Sequence, residues 1–127
     1  MRKSFLLSGS CMLVICFNLS CYHFDHHNTS ISISETKAAY KMSAWFDKSK
    51  TGKVHEYMNK KLGKKNNISF INAEIDAMVT LDDRTTFYIK SLPGDLTIKL
   101  DKESNSYESY TEIKEMCEGV KAVIAGK

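Results

Sequence analysis

The 127-residue chain predicts an α+β domain: a single antiparallel sheet of about five strands, in the order β-β-α-β-β-β-α, with two helices packed on one face. Three observations carry that expectation. Apolar residues alternate with polar ones in several short runs, two stretches show apolar residues at helical spacing, and compact turn signals separate the last three runs.

The first run, Ser30-Ile31-Ser32-Ile33-Ser34, alternates as a strand with one face inward does. After Glu35-Thr36-Lys37 the pattern resumes with Tyr40, Met42, Ala44 and Phe46 on one side and Trp45 on the other, a second strand paired with the first as a hairpin. Asp47-Lys48-Ser49 offers side-chain oxygens to the free amides of a first helical turn. Val54, Tyr57, Met58 and Leu62 follow at helical spacing, and Gly63 marks the stop of a helix of about four turns.

From Ile68 to Leu81 the pattern is again that of a strand. Ile71, Ala73, Ile75, Ala77, Val79 and Leu81 share a face, with Ile68 and Phe70 out of phase, so a bulge near Phe70-Ile71 is expected. Asp82-Asp83-Arg84 makes a turn, and the next strand runs from Thr85 to Lys90. Leu92-Pro93-Gly94-Asp95 has the residues of a type II turn, and Leu96, Ile98 and Leu100 mark the last strand. Short turns make these three strands antiparallel neighbours. The final helix starts at Ser104-Asn105-Ser106 and ends near Ala125-Gly126. Its apolar stripe is Tyr110, Ile113, Cys117, Val120 and Ile124; Glu108, Glu112, Glu115 and Glu118 form its wet side.

The N-terminus has a different organisation. Arg2 and Lys3 precede an uncharged, mostly apolar run that ends in Asn18-Leu19-Ser20-Cys21, the plan of a secretory signal peptide. As a helix the run 5–19 would rise only about 22 Å, short of the ~30 Å hydrocarbon core, so cleavage is expected over a permanent anchor. Residues 1–20 thus read as a signal peptide, 21–29 as a polar tether and 30–127 as one domain. The expected location is outside the cytosol: periplasmic, anchored at the outer membrane, or extracellular. Without the leader the chain keeps 16 basic against 15 acidic side chains, a balance that makes no electrostatic case for nucleic acid.

Of four cysteines, Cys11 and Cys16 leave with the leader. Cys117 falls on the apolar stripe of the last helix and reads as a buried, inert thiol. An unacylated Cys21 leaves a Cys21–Cys117 disulfide open in an oxidising compartment.

Four constellations are candidates for chemistry. His23, Asp25, His26 and His27 are metal-ligand types, in a segment with nothing evident to hold them in fixed geometry. Lys48, Lys50, Lys53, Lys60, Lys61, Lys64 and Lys65 face Glu56 alone on the first helix; Lys60, Lys61, Lys64 and Lys65 at its end suit an anionic partner or a solvated face. Asp82, Asp83, Asp95 and Asp101 fit turn chemistry better than a calcium loop or an acid–base pair. Trp45 and Tyr88 oppose the inward residues of their strands, which puts them on the open face of the sheet as a binding patch. His55 has no nucleophile setting around it in sequence. No residue is expected to be catalytic, and no cofactor is implied.

Ser20-Cys21 resembles the end of a bacterial lipoprotein signal, which implies acylation of Cys21. Leu19 stands one place closer to the cysteine than that pattern has it, so release by ordinary cleavage remains the alternative. Over residues 30–123, with Phe87-Tyr88-Ile89-Lys90-Ser91-Leu92-Pro93-Gly94 and Lys114-Glu115-Met116-Cys117-Glu118-Gly119 as its distinctive words, the chain resembles small exported proteins of Bacteroidetes-type bacteria. That resemblance implies location and brings no activity. The expected function is a non-enzymatic binding module whose partner is an envelope component or other macromolecule, with a lipid anchor as its route to the membrane. A small secreted metal-binding protein or enzyme using the histidine segment, and a structural envelope protein, are the alternatives.

Overall fold

A computed structural model of the chain describes residues 21–23, 29–63 and 66–126. The strands are β1 (Cys21–His23), β2 (Ser30–Glu35), β3 (Ala39–Trp45), β4 (Ile75–Thr80), β5 (Thr86–Leu92) and β6 (Asp95–Asp101). The helices are α1 (Thr51–Met58) and α2 (Tyr107–Ile124). One sheet holds all six strands in the spatial order β1-β2-β3-β6-β5-β4, every pair antiparallel. The expected five strands and two helices are therefore present. The backbone of Cys21–His23 adds a short sixth strand, where the sequence suggested only a tether.

Alternation explains the layering. Met42 of β3, Ile98 of β6 and Ile89 of β5 stand directly across from one another, as do Tyr40 with Leu100 and Ala44 with Leu96. All of them are buried, and the helices lie over this face. Val54 and Met58 of α1, with Leu62 just beyond it, and Ile113, Met116, Cys117, Val120 and Ile124 of α2 complete the core. A fully buried side chain of this size contributes about 1.5–3 kcal/mol, so the face needs both helices.

Local chemistry fixes the ends of these elements. Asp47 accepts from the Ser49 amide at 2.9 Å and opens a 3₁₀ turn, Lys48–Lys50, that leads into α1. Ser106 accepts from the Ser109 amide at 3.0 Å and caps α2. Gly94 takes a φ of +70°, the left-handed value that the second central position of a type II turn requires. Gly63 ends a wide π turn, Asn59–Gly63, for a reason other than backbone handedness. A Cβ there would stand 2.5 Å from Asn59 Oδ1 and 2.6 Å from the Ile68 carbonyl oxygen.

One long element of the sequence reading is corrected. The strand expected from Ile68, with a bulge at Phe70-Ile71, begins only at Ile75. Before it the chain turns, with Asn67 and Asn72 in the left-handed region, which asparagine tolerates better than most residues. Asn59 Oδ1 accepts from the Phe70 amide at 3.0 Å and the Phe70 ring is buried, whereas Ile71 points outward. Alternation here marks one buried anchor in a loop rather than a pleated strand.

The two helices meet where Gly119 leaves room for Tyr57. A Cβ on Gly119 would fall 1.7 Å from the Tyr57 hydroxyl oxygen. Gly119→Ala is expected to destabilise the protein by about 1–3 kcal/mol through that clash. In a Tyr57→Ala background the same change should stabilise by up to about 1 kcal/mol, the ordinary helical advantage of alanine over glycine. Urea unfolding of the four proteins measures the reversal of sign.

Candidate functional site

Among the described residues, the side of the sheet away from the helices is open. Register arranges its side chains in rows: Ser34, Lys41, Lys99, Tyr88 and Met78 in one, Ser32, Ser43, Thr97, Lys90 and Asp76 in the next, then Ser30, Trp45, Asp95 and Leu92. Trp45 is 63% exposed on this face, a large apolar surface to leave in water. Asp76 accepts from the Tyr88 hydroxyl at 2.6 Å, and the Lys99 ammonium lies 5.5 Å from the Tyr88 ring centre. The bond to Asp76 holds the Tyr88 phenol above its usual pKa. Lys90 pairs with Asp95 at 3.4 Å. Trp45 and Tyr88 share the face but stand two strands and two rows apart, so they form two points of one surface rather than one cluster.

The lysines of the first helix sit on the other side of the sheet. Lys50 Nζ donates to the Ile124 carbonyl at 2.6 Å, placing positive charge at the negative end of α2. Lys61 lies over the Tyr57 ring at 5.8 Å. Lys53 and Lys60 line a shallow groove of about 430 Å³ with Glu56, Tyr57, Asn59 and Ile71. Lys64 and Lys65 lie outside the described residues. Trp45 and Tyr88 are thus on the face opposite Lys60 and Lys61, so the surface expected from the sequence does not come together among the described residues.

Two of the four aspartates, Asp83 and Asp101, take up turn chemistry, while Asp95 pairs with Lys90. Asp83 accepts from the Thr85 amide at 3.0 Å, and Asp101 from the Glu103 amide and the Ser104 hydroxyl at 2.9 and 3.1 Å. Asp82 lies in the turn between β4 and β5, two residues after Thr80, and its amide donates to Asn66 Oδ1 at 3.1 Å. The segment Asp25, His26 and His27 lies outside the described residues, and His23 is described only as backbone of β1. Among the described residues no three potential ligands cluster for a metal. No described helix is long and apolar enough to cross a membrane. The side chain of Cys21 also lies outside the description, while Cys117 is free and buried. Burial, reinforced by the charge of Glu118, pushes the Cys117 thiol far above its usual pKa, so it stays protonated and unreactive.

Two arrangements had no sequence signal. His55 is buried, and its Nε2 lies 3.1 Å from the hydroxyl of Ser91, also buried. Desolvation lowers the pKa of the ring and keeps it neutral. It borders a recess of about 280 Å³ with Lys48, Thr51, Asn72, Glu74 and Pro93, whereas Ser91 faces the core and is absent from the lining. The second is a knot at the end of the β2–β3 hairpin. Glu35 accepts from Lys102 at 2.7 Å, from Lys114 at 3.3 Å and from the Tyr110 hydroxyl. Lys102 also sits over the Tyr110 ring at 4.6 Å. Partial burial would raise the Glu35 pKa, but the hydrogen bonds from Lys102, Tyr110 and Lys114 outweigh it and lower it.

No protein-family model matches the chain, and no curated protein or solved structure is detectably similar to it.

Each arrangement has its own dependence on pH. A lowered folded pKa at Glu35 contributes stability that is complete above the unfolded value near 4.5 and fades as pH falls through the folded value. Glu35→Gln should cost on the order of 1 kcal/mol at neutral pH, discounted for partial exposure, and flatten the loss of stability below pH 4.5. Urea titrations across that range measure both. For His55 the unfolded ring takes up its proton first, so stability falls with pH from about the ordinary value of 6.5 downward. His55→Gln should remove that slope while leaving the acid limb due to Glu35 intact.

Proposed function

We propose that the chain is an exported, non-enzymatic binding module of the cell envelope that captures its partner on the open face of the sheet around Trp45. The observation that carries the reading is the bare indole on a face the helices leave uncovered. Ser30 and Asp95 stand directly across from Trp45, Ser32, Ser43 and Thr97 fill the next row, and Lys41, Lys90 and Lys99 lie farther along the same face, Lys90 paired with Asp95. One flat aromatic beside hydroxyls, on a face that carries lysines farther along, suits an extended, hydroxyl-rich, anionic envelope polymer better than it suits a small molecule, which needs a concave pocket. The residues with the most catalytic potential point the other way: His55 is turned against Ser91, and Cys117 is sealed in the core. The leader 1–20 supports export, and the Ser20-Cys21 junction supports a lipid tether as the route to the membrane.

Trp45 is the one tryptophan of the chain, so its emission reports on the face directly. Titration with isolated cell-wall polymer is expected to shift that emission to the blue and to shield it from iodide. Trp45→Ala should weaken co-sedimentation with the polymer by about tenfold or more, the loss of roughly 1.4 kcal/mol or more. An emission spectrum unchanged at saturating polymer would refute the reading.

A further inference from the structure

β4 lies at an edge of the sheet, and among the described residues it pairs with β5 alone. Free edges are normally guarded by lysine, proline, a bulge or a covering segment, because their unpaired backbone groups invite another strand. β4 lacks three of these guards. Its pairing with β5 runs unbroken from Ile75 opposite Ser91 to Thr80 opposite Thr86, and the strand Ile-Asp-Ala-Met-Val-Thr contains neither lysine nor proline. Its one charge, Asp76, is tied to the Tyr88 hydroxyl of the neighbouring strand. On the core side Ile75 and Val79 are only half-buried and Ala77 is exposed; on the other side Met78 is 63% exposed. Apolar side chains therefore flank this edge on both faces of the sheet.

We infer that β4 is a self-association edge, on which two copies of the chain pair antiparallel about a two-fold axis and continue one sheet through both. Directly opposed residues in an antiparallel pair share a face, so the axis passes through a residue position and not between two. Charge selects the position. An axis at Asp76 sets two carboxylates against each other, and an axis at Met78 sets Glu74 against Asp82. An axis at Ala77 sets Ala77 against itself, Ile75 against Val79, Asp76 against Met78 and Glu74 against Thr80. No like charges meet, and the half-covered apolar row on the core side continues across the junction. A strand that is its own complement fits a second copy better than an unrelated strand. The contact is small beside the ~1,600 Å² of standard interfaces, so the dimer is a weak one.

Sedimentation velocity of the full chain, purified as its producing cell processes it, tests this over about 1–300 µM, with dissociation expected in the range of roughly 1–100 µM. Ala77→Lys brings two ammonium groups face to face and should weaken the dimer at least tenfold. Met78→Lys faces Asp76 of the second copy and should leave the dimer within about threefold of the wild type or tighten it. A wild-type chain that stays monomeric throughout overturns the inference, including the case in which the edge serves a different protein. A dimer indifferent to Ala77→Lys overturns it too, and one broken equally by Met78→Lys overturns the Ala77 register. Circular dichroism confirms that each variant is folded. Should Ala77→Lys fail to fold, Ala77→Cys decides: opposed positions about 4.5–5.5 Å apart allow a symmetric disulfide. Absence of a covalent dimer beyond the wild-type level then contradicts the inference.

Discussion

Tyr40, Met42 and Ala44 stand in register with Leu100, Ile98 and Leu96, and this double row of buried side chains at the centre of the sheet constrains everything else. β3 and β6 lie far apart in sequence, so their pairing fixes the path of the chain between them. α1 must carry it from the middle of the sheet to the β4 edge, and β5 and β6 bring it back strand by strand. α2 then closes over the face that this return completes. A one-residue slip in the central pair would turn the apolar row of one of the two strands toward water.

Covering only one face has consequences on the other. Side chains at the odd positions of β3, Lys41, Ser43 and Trp45, point away from the helices because Tyr40, Met42 and Ala44 point toward them. The exposure of Trp45 is therefore built into the alternation. The same geometry thins out the cover toward β4, where the core-side residues are no longer fully buried. Both surfaces proposed to act in binding and association arise from where the helical layer stops.

Much of this was legible in the residues themselves. Alternation at 40–46 and 96–100, the stripe from Ile113 to Ile124, the caps at Asp47 and Ser106 and the turn at Pro93-Gly94 each act through local chemistry, which sequence displays. The segment 68–74 misled because period-two spacing cannot distinguish a strand from a loop that buries one ring, here Phe70 held by Asn59. The knot around Glu35 joins positions 67 to 79 residues apart, and His55 meets Ser91 across 36. Contacts of that kind follow from topology and leave no pattern along the chain. Of the candidate site, the outward placement of Trp45 and Tyr88 was readable from alternation, whereas their separation from the lysines of the first helix needed the layers to be seen.

The methionines distinguish the covered face from the open one most directly. Brief oxidation of the native protein with dilute peroxide, followed by peptide mass analysis, reports the accessibility of each sulfur. Met78, 63% exposed, should convert to the sulfoxide much faster than Met42, Met58 and Met116, which the core encloses almost completely. Comparable rates at Met78 and at those three would show that no helical layer seals one side of the sheet, and the account would fail at its foundation.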